Sequence, residues 1–221
     1  DLILNIISIM YLLTVAALGG VWIFRRVKFN AVFRRCCKRV DESRLEGVKL
    51  RVGVRSNAAL YTAAASCSPF VFGVIRPKIV IPESGADDGA LMHELVHIKH
   101  RDVFRLTLIN IAKAVHFFNP LMYIFAKETK RYMELACDEE VSSLLSGAER
   151  ARYSAEIVRS AAGFAHGGVC LSENAENIKE RIDSVMNGKI YKRSVRIVGA
   201  IAAAALIAVQ TAFAAGVNSG A

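Results

Sequence analysis

A chain of 221 residues, 53% of them hydrophobic and with a formal charge of +9, has material for one or two domains with a buried core. Its charge is not spread as in a nucleic-acid binder; it clusters beside two apolar ends, from Arg25 to Arg39 and again at Lys189, Lys192, Arg193 and Arg196. Five cysteines, Cys36, Cys37, Cys67, Cys137 and Cys170, show no C-x-x-C spacing, which argues against a disulfide framework and for a reducing compartment.

Leu2 to Phe24 runs without a charge, and about 20 apolar residues suffice to span a bilayer. A transmembrane helix is expected there rather than a signal peptide, because the basic residues follow the apolar run instead of preceding it. Residues 28–46 read as a juxtamembrane helix whose basic side chains face anionic headgroups. Val48, Leu50, Val52 and Val54 then alternate with Lys49, Arg51, Gly53 and Arg55, the period of a half-buried strand. Two more short strands are expected at Ser68–Gly73 and Lys78–Ile81, punctuated by Pro69, Gly73, Pro77 and Pro82. An exposed edge among them can accept an extended peptide as one more strand, with Phe70, Val71 and Phe72 as the residues expected to touch it.

Ser84 to Asp88 leads into an apolar helical stretch that contains His93-Glu94-Leu95-Val96-His97, an H-E-x-x-H pattern. Residues four apart sit one turn above each other on a helix, so both imidazoles can reach one metal ion from one rigid element. Glu94 sits beside the first imidazole, where a carboxylate can act as general base rather than as ligand. A lone histidine in an apolar helix is more often a hydrogen-bonded core residue; two of the five histidines bracketing a glutamate favour the metal.

A second apolar helix follows over about Val103–Phe118, and Asn119-Pro120 starts another that continues to about Leu145. Helices are also expected from Ala148 to Gly163 and from Asn174 to Met186, before a second uncharged stretch, Ile197–Val217. Its basic flank lies on the N-terminal side, so both charge asymmetries put residues 25–196 in the cytoplasm. Candidates for a third ligand are Glu134, His116, His100, Asp138, Cys137 and His166. Glu134 fits best, on a separate long helix, and Asp138 one turn later can accept a proton from a ligand imidazole.

His93-Glu94-Leu95-Val96-His97 with Asp102, Phe118-Asn119-Pro120-Leu121 and Glu134-Leu135-Ala136-Cys137-Asp138 resemble the membrane metallopeptidases of the BlaR/MecR type, sensor-transducers of beta-lactam resistance. Ser68-Pro69-Phe70, Pro77 to Pro82 and Asn177 to Ile182 carry the same resemblance, although Phe117 stands where a Trp is common. The resemblance implies Zn2+ held by His93, His97 and Glu134, Glu94 as base, and Asp138 and Asp102 behind the ligands. It implies a protein substrate, a transcriptional repressor or the chain itself.

The expected fold class is therefore α+β: a mostly helical, zincin-like domain with a small sheet, flanked by two transmembrane helices. The expected boundaries are a span at 1–24, a cytoplasmic metallopeptidase domain at 25–192, a span at 193–217 and an extracellular tail at 218–221, in a multi-pass protein of the cell membrane. The sequence is expected to be a fragment of something longer, and antibiotic sensing is not carried over. Partners are the protein substrate and the lipid bilayer, with a homodimer left open and no direct nucleic acid. The alternative is a non-proteolytic signalling or anchoring module with a structural zinc site closed by Cys137 or His116.

Overall fold

The computed structural model describes residues 2–64, 68–163 and 175–187. The expected second span and tail, and Cys67, Cys170 and His166, lie outside them. Leu2–Cys36 forms one uninterrupted helix, α1. At ~1.5 Å per residue it is about 52 Å long, against a hydrocarbon core of about 30 Å. Its side chains from Leu2 to Phe24 stay mostly exposed, and Phe33 near the far end is the one it buries. Among the described residues it is the one helix long and apolar enough to cross a membrane.

The expected juxtamembrane helix over 28–46 is not a separate element. Its first part continues α1, and its middle is a strand, β1 (Cys37–Arg39), antiparallel to β2 (Ala59–Ala63). β2 runs parallel to β4 (Lys78–Pro82), and β3 (Phe70–Phe72) closes the sheet antiparallel to β4, giving the order β1-β2-β4-β3. The expected strand over 48–54 is instead the end of a helix, α2 (Ser43–Val52). Leu45, Val48 and Val52 recur at helical spacing and are buried, whereas Leu50, which a strand would have turned inward, is 84% exposed. Gly53, at φ 70°, ends α2 in the left-handed conformation that glycine adopts freely.

β4 is apolar on both faces because both are covered. Ile79 and Ile81 join the main core with Leu60 of β2, while Val80 faces a smaller cluster of Phe33, Ala63 and Phe72. The main core is completed by helices: α3 (Asp88–His100), α5 (Pro120–Leu144), α6 (Gly147–Gly163) and α7 (Ala175–Asn187) each contribute buried side chains, as does α2. α4 (Asp102–Val115) is joined to α3 through Arg101 alone, a non-glycine residue at φ 57°. The end of α1 thus packs against one sheet face through Phe29 and Phe33, and α3 lies on the other.

Gly73 turns the chain between β3 and β4 at φ 92°, and a Cβ there would lie 2.5 Å from the Arg76 carbonyl oxygen. Gly53 has a similar backbone but open space around it. Gly73→Ala is therefore expected to lower unfolding stability by about 1–3 kcal/mol for the backbone conformation with a packing cost added, and Gly53→Ala by the backbone part alone. Chemical denaturation of both variants checks this; equal losses would mean that the Arg76 carbonyl moves aside freely.

Candidate metal centre and active site

α3 is anchored at its start by Asp87, whose carboxylate accepts the Gly89 N–H at 3.2 Å, and by the wholly buried Leu91, Met92, Leu95 and Val96. A helix so fixed presents His93 and His97 rigidly, with their Nε2 atoms 3.0 Å apart. Glu134 of α5 brings its Oε2 to 3.4 Å from the first and 3.9 Å from the second. Ligand atoms on a tetrahedral ion with bonds of about 2.1 Å lie about 3.4 Å from one another, so this is the spacing of atoms sharing one ion.

The partners on the far sides of both rings favour hydrogen on Nδ1. His97 Nδ1 donates to Asp102 Oδ2 at 2.9 Å, and His93 Nδ1 lies 3.1 Å from Asp138 Oδ1 and 2.7 Å from the Tyr153 hydroxyl. With Nδ1–H directed outward, both Nε2 lone pairs converge on the Glu134 carboxylate. Three acceptors this close repel one another unless a cation lies among them, so the donor set fits a metal ion.

Without a metal ion the same pocket draws a proton, which takes the place of the cation between His93 and Glu134. Burial works against charge on His93, yet the hydrogen bonds to Asp138 and Glu134 overcome it and raise its pKa to about 10. Burial likewise opposes ionisation of Glu134 and Asp138, but His93 and Arg181 hold both below the usual carboxylate range. Glu94 moves upward instead: burial dominates, and among the described residues no hydrogen-bond partner engages its carboxylate. A buried carboxyl whose proton affinity is raised by burial, beside the converging imidazoles, is the profile of a proton acceptor.

Two further residues complete the site. Tyr153 of α6 donates to Asp138 Oδ1 at 2.5 Å, and Arg181 of α7 grips the same carboxylate through Nε at 2.6 Å and Nη2 at 3.2 Å. Its Nη1 also lies 3.6 Å from Glu134 Oε2. Sequence reasoning missed both. Tyr153 carries no spacing signal that sets it apart from a core aromatic on a helix face; Arg181 lies within the Asn177–Ile182 stretch, the one available signal. Gly89 makes room for Tyr153, whose ring carbon lies 3.0 Å from where a Cβ would stand.

The other candidates separate. His100 pairs with Glu140 at 2.8 Å, and His116 caps the end of α4. Cys137 Sγ lies 3.2 Å from His97 Nδ1 and 3.6 Å from Asp102, behind the imidazole, and burial pushes its thiol pKa well up. Phe70, Val71 and Phe72 form β3 at the sheet edge; Phe70 and Phe72 meet the α1 aromatics edge to face, and Val71 packs against the main core. Just beyond β3 a cleft of about 520 Å³ opens between Gly73, Val74 and Ile75 on one side and His97, Arg101 and Phe104 on the other.

Comparison with known proteins follows the same residues. The chain is 34% identical over 131 residues to the Regulatory protein BlaR1 of Bacillus licheniformis, covering 54% of this chain and 22% of that protein. It is 31% identical over 99 residues to the Methicillin resistance mecR1 protein of Staphylococcus aureus, covering 42% of this chain and 17% of the relative, and the same holds for its counterpart from Staphylococcus epidermidis. The chain therefore spans about a fifth of the length of these relatives. The family described as BlaR1 peptidase M56 matches residues 2–185, from α1 through the buried part of α7, and with most of its length inside that match this chain belongs to that peptidase family.

Proposed function

We propose that this chain is a zinc endopeptidase unit anchored in the membrane, with its peptidase domain at the cytoplasmic face. The observation that carries the reading is the convergence of His93 Nε2, His97 Nε2 and Glu134 Oε2 beside a buried Glu94 with no hydrogen-bond partner among the described residues. His93, His97 and Glu134 hold the ion, while Asp102 and Asp138 fix the two imidazoles from behind. A zinc ion in this place supplies Lewis acidity to the scissile carbonyl and to the attacking water. Glu94 takes the proton of that water as its oxygen bonds to the carbonyl carbon, then passes the proton to the amide nitrogen as the peptide C–N bond breaks. The substrate chain lies extended along β3, and the cleft between Ile75 and Phe104 receives one of its side chains.

The relatives are named for regulation and for methicillin resistance, which supports a role in signal transduction, with a transcriptional repressor or the chain itself as substrate. α1 and a second span over 193–217 hold the domain at the bilayer, and a homodimer fits such an arrangement.

The alternative, a structural zinc site in a non-proteolytic module, draws on the second cluster of His97, Asp102 and Cys137. It is disfavoured because Cys137 Sγ lies 3.2 Å from His97 Nδ1, on the side of the ring already held by Asp102 and away from the Nε2 atoms that meet Glu134. Metal content of the purified chain tests the assignment: about one zinc is expected in the wild type and in Glu94→Gln, and loss in Glu134→Ala. Full occupancy in all three removes Glu134 as a ligand and moves the structural site forward.

A further inference from the structure

The turn between α4 and α5 rests against the apolar part of α1. Tyr11, in the middle of the apolar part of α1, donates its hydroxyl to the Val115 carbonyl at 2.9 Å, and its ring stacks on Phe117 at 6.0 Å with Phe118 at its edge. Tyr11 lies fourteen positions before Arg25, about 21 Å along the helix. If α1 crosses a bilayer with Arg25 near the headgroups, the turn at His116–Asn119 lies at the level of the acyl chains. α4 runs back from that turn to Arg105, ten positions or about 15 Å away, and α5 runs to Lys127, eight positions or about 12 Å. Between those two basic residues the ionisable side chains are Lys113 and His116 together with Tyr123.

The surface of this hairpin matches the α1 surface next to it. Leu108 and Ile111 of α4 and Phe118, Leu121 and Ile124 around the start of α5 are all half exposed or more, as are most of the large apolar side chains of α1 from Leu2 to Phe24. Lys113 lies 5.0 Å from the centre of the Tyr123 ring, which offsets part of the cost of a cation near hydrocarbon, and its chain is long enough to reach toward the headgroups. Arg105 and Lys127 bound the apolar stretch of the hairpin as Arg25 and Arg26 bound that of α1, and basic residues in such places suit anionic headgroups.

The decisive feature is the turn's backbone. Non-helical chain inside a bilayer must satisfy its polar groups from within the protein, because no water is available. Here the Val115 carbonyl accepts from Tyr11, and the Phe117 carbonyl accepts from the Tyr123 hydroxyl at 3.0 Å. The Asn119 N–H donates to His116 O at 2.9 Å, and the Asn119 side chain accepts the Leu121 N–H at 3.0 Å. A turn bathed in water has no need of two tyrosine hydroxyls to cap its carbonyls. We propose that the α4–α5 hairpin is inserted into the bilayer beside α1, with acyl chains against Leu108, Ile111, Phe118, Leu121 and Ile124, so that the metal centre is fixed at the membrane surface by a helix and a hairpin together. This rests on α1 crossing the membrane.

The chain has one tryptophan, Trp22 in α1, which makes the test separable. The full chain is placed in phosphatidylcholine–phosphatidylglycerol vesicles containing lipid brominated either near the headgroup or deep in the acyl chain, and tryptophan quenching is read. Wild type reports α1 through Trp22. Trp22→Phe/Phe118→Trp reports the hairpin, with Trp22→Phe/Ile124→Trp as a second probe and Trp22→Phe/Ile75→Trp as the soluble control, Ile75 being 91% exposed beyond β3. The expected result is quenching at position 118 stronger from the deep bromines than from the shallow ones, quenching at 124, and none at 75. Quenching of Trp22 without quenching at 118 and 124 overturns the hairpin and leaves α1 in the membrane; that is also the outcome if a second copy of the chain covers this face. No quenching of Trp22 overturns the membrane reading of α1 and the hairpin with it.

Discussion

Glu94→Gln is expected to lower peptide hydrolysis by about 10²- to 10⁴-fold while the protein keeps its metal and its fold. The glutamine has nearly the same volume, and the three converging donor atoms do not include residue 94. What disappears is the ability to accept a proton. The same substitution makes a second measurement informative, because the side chain is only 7% exposed and has no hydrogen-bond partner among the described residues. An isolated buried carboxylate weakens a fold, so a neutral amide here is expected to leave thermal stability unchanged or raised. Loss of activity joined to equal or higher stability is the signature of a residue kept for chemistry. Cleavage of a peptide library, or of the chain itself, at the wild-type rate by Glu94→Gln would remove the assigned base; loss of metal in that variant would mean that Glu94 belongs to the ligand set.

Local signals made most of this arrangement readable before any coordinates. The polar turn at Ser84–Asp88 marked the approach to α3, Asn119-Pro120 and the apolar face placed α5 within a residue or two, and the H-E-x-x-H spacing brought His93, Glu94 and His97 onto one rigid element because helical periodicity alone does so. Residues 45–52 failed for an equally physical reason: Val48, Leu50 and Val52 fit a period of two as well as Leu45, Val48 and Val52 fit a helix, and only burial separates them. β2 was missed because Ala59–Ala63 is short and alanine-rich, and it is a strand by virtue of pairing with β1 and β4 rather than by its own propensity. Tyr153 and Arg181 were out of reach for the same reason on a larger scale. Their roles exist only through contacts spanning 60 residues to His93 and 43 residues to Asp138, and no spacing rule encodes those.

Those long-range contacts carry the second large effect. Asp138 is wholly buried and holds Arg181, Tyr153 and His93 at once, so Asp138→Ala is expected to destabilise the fold by about 3–5 kcal/mol by leaving a largely buried guanidinium without its carboxylate. Replacing both charges with apolar residues of similar size, Asp138→Leu with Arg181→Met, should recover most of that loss, since a buried ion pair is roughly matched by good apolar packing. Metal affinity should behave differently. In either variant His93 Nδ1 loses the carboxylate that orients its ring, and affinity is expected to fall about 10- to 100-fold whether or not stability returns. Denaturant unfolding with the metal chelated isolates the first effect, because bound metal would otherwise stabilise the folded state by mass action. Metal titration of each variant isolates the second. Should the double variant remain as unstable as the single one, buried charge is not the source of the loss and the defect is in packing around residue 138. Should it regain both stability and full metal affinity, Asp138 does not position His93, and the orientation of that ring must rest on Tyr153 alone.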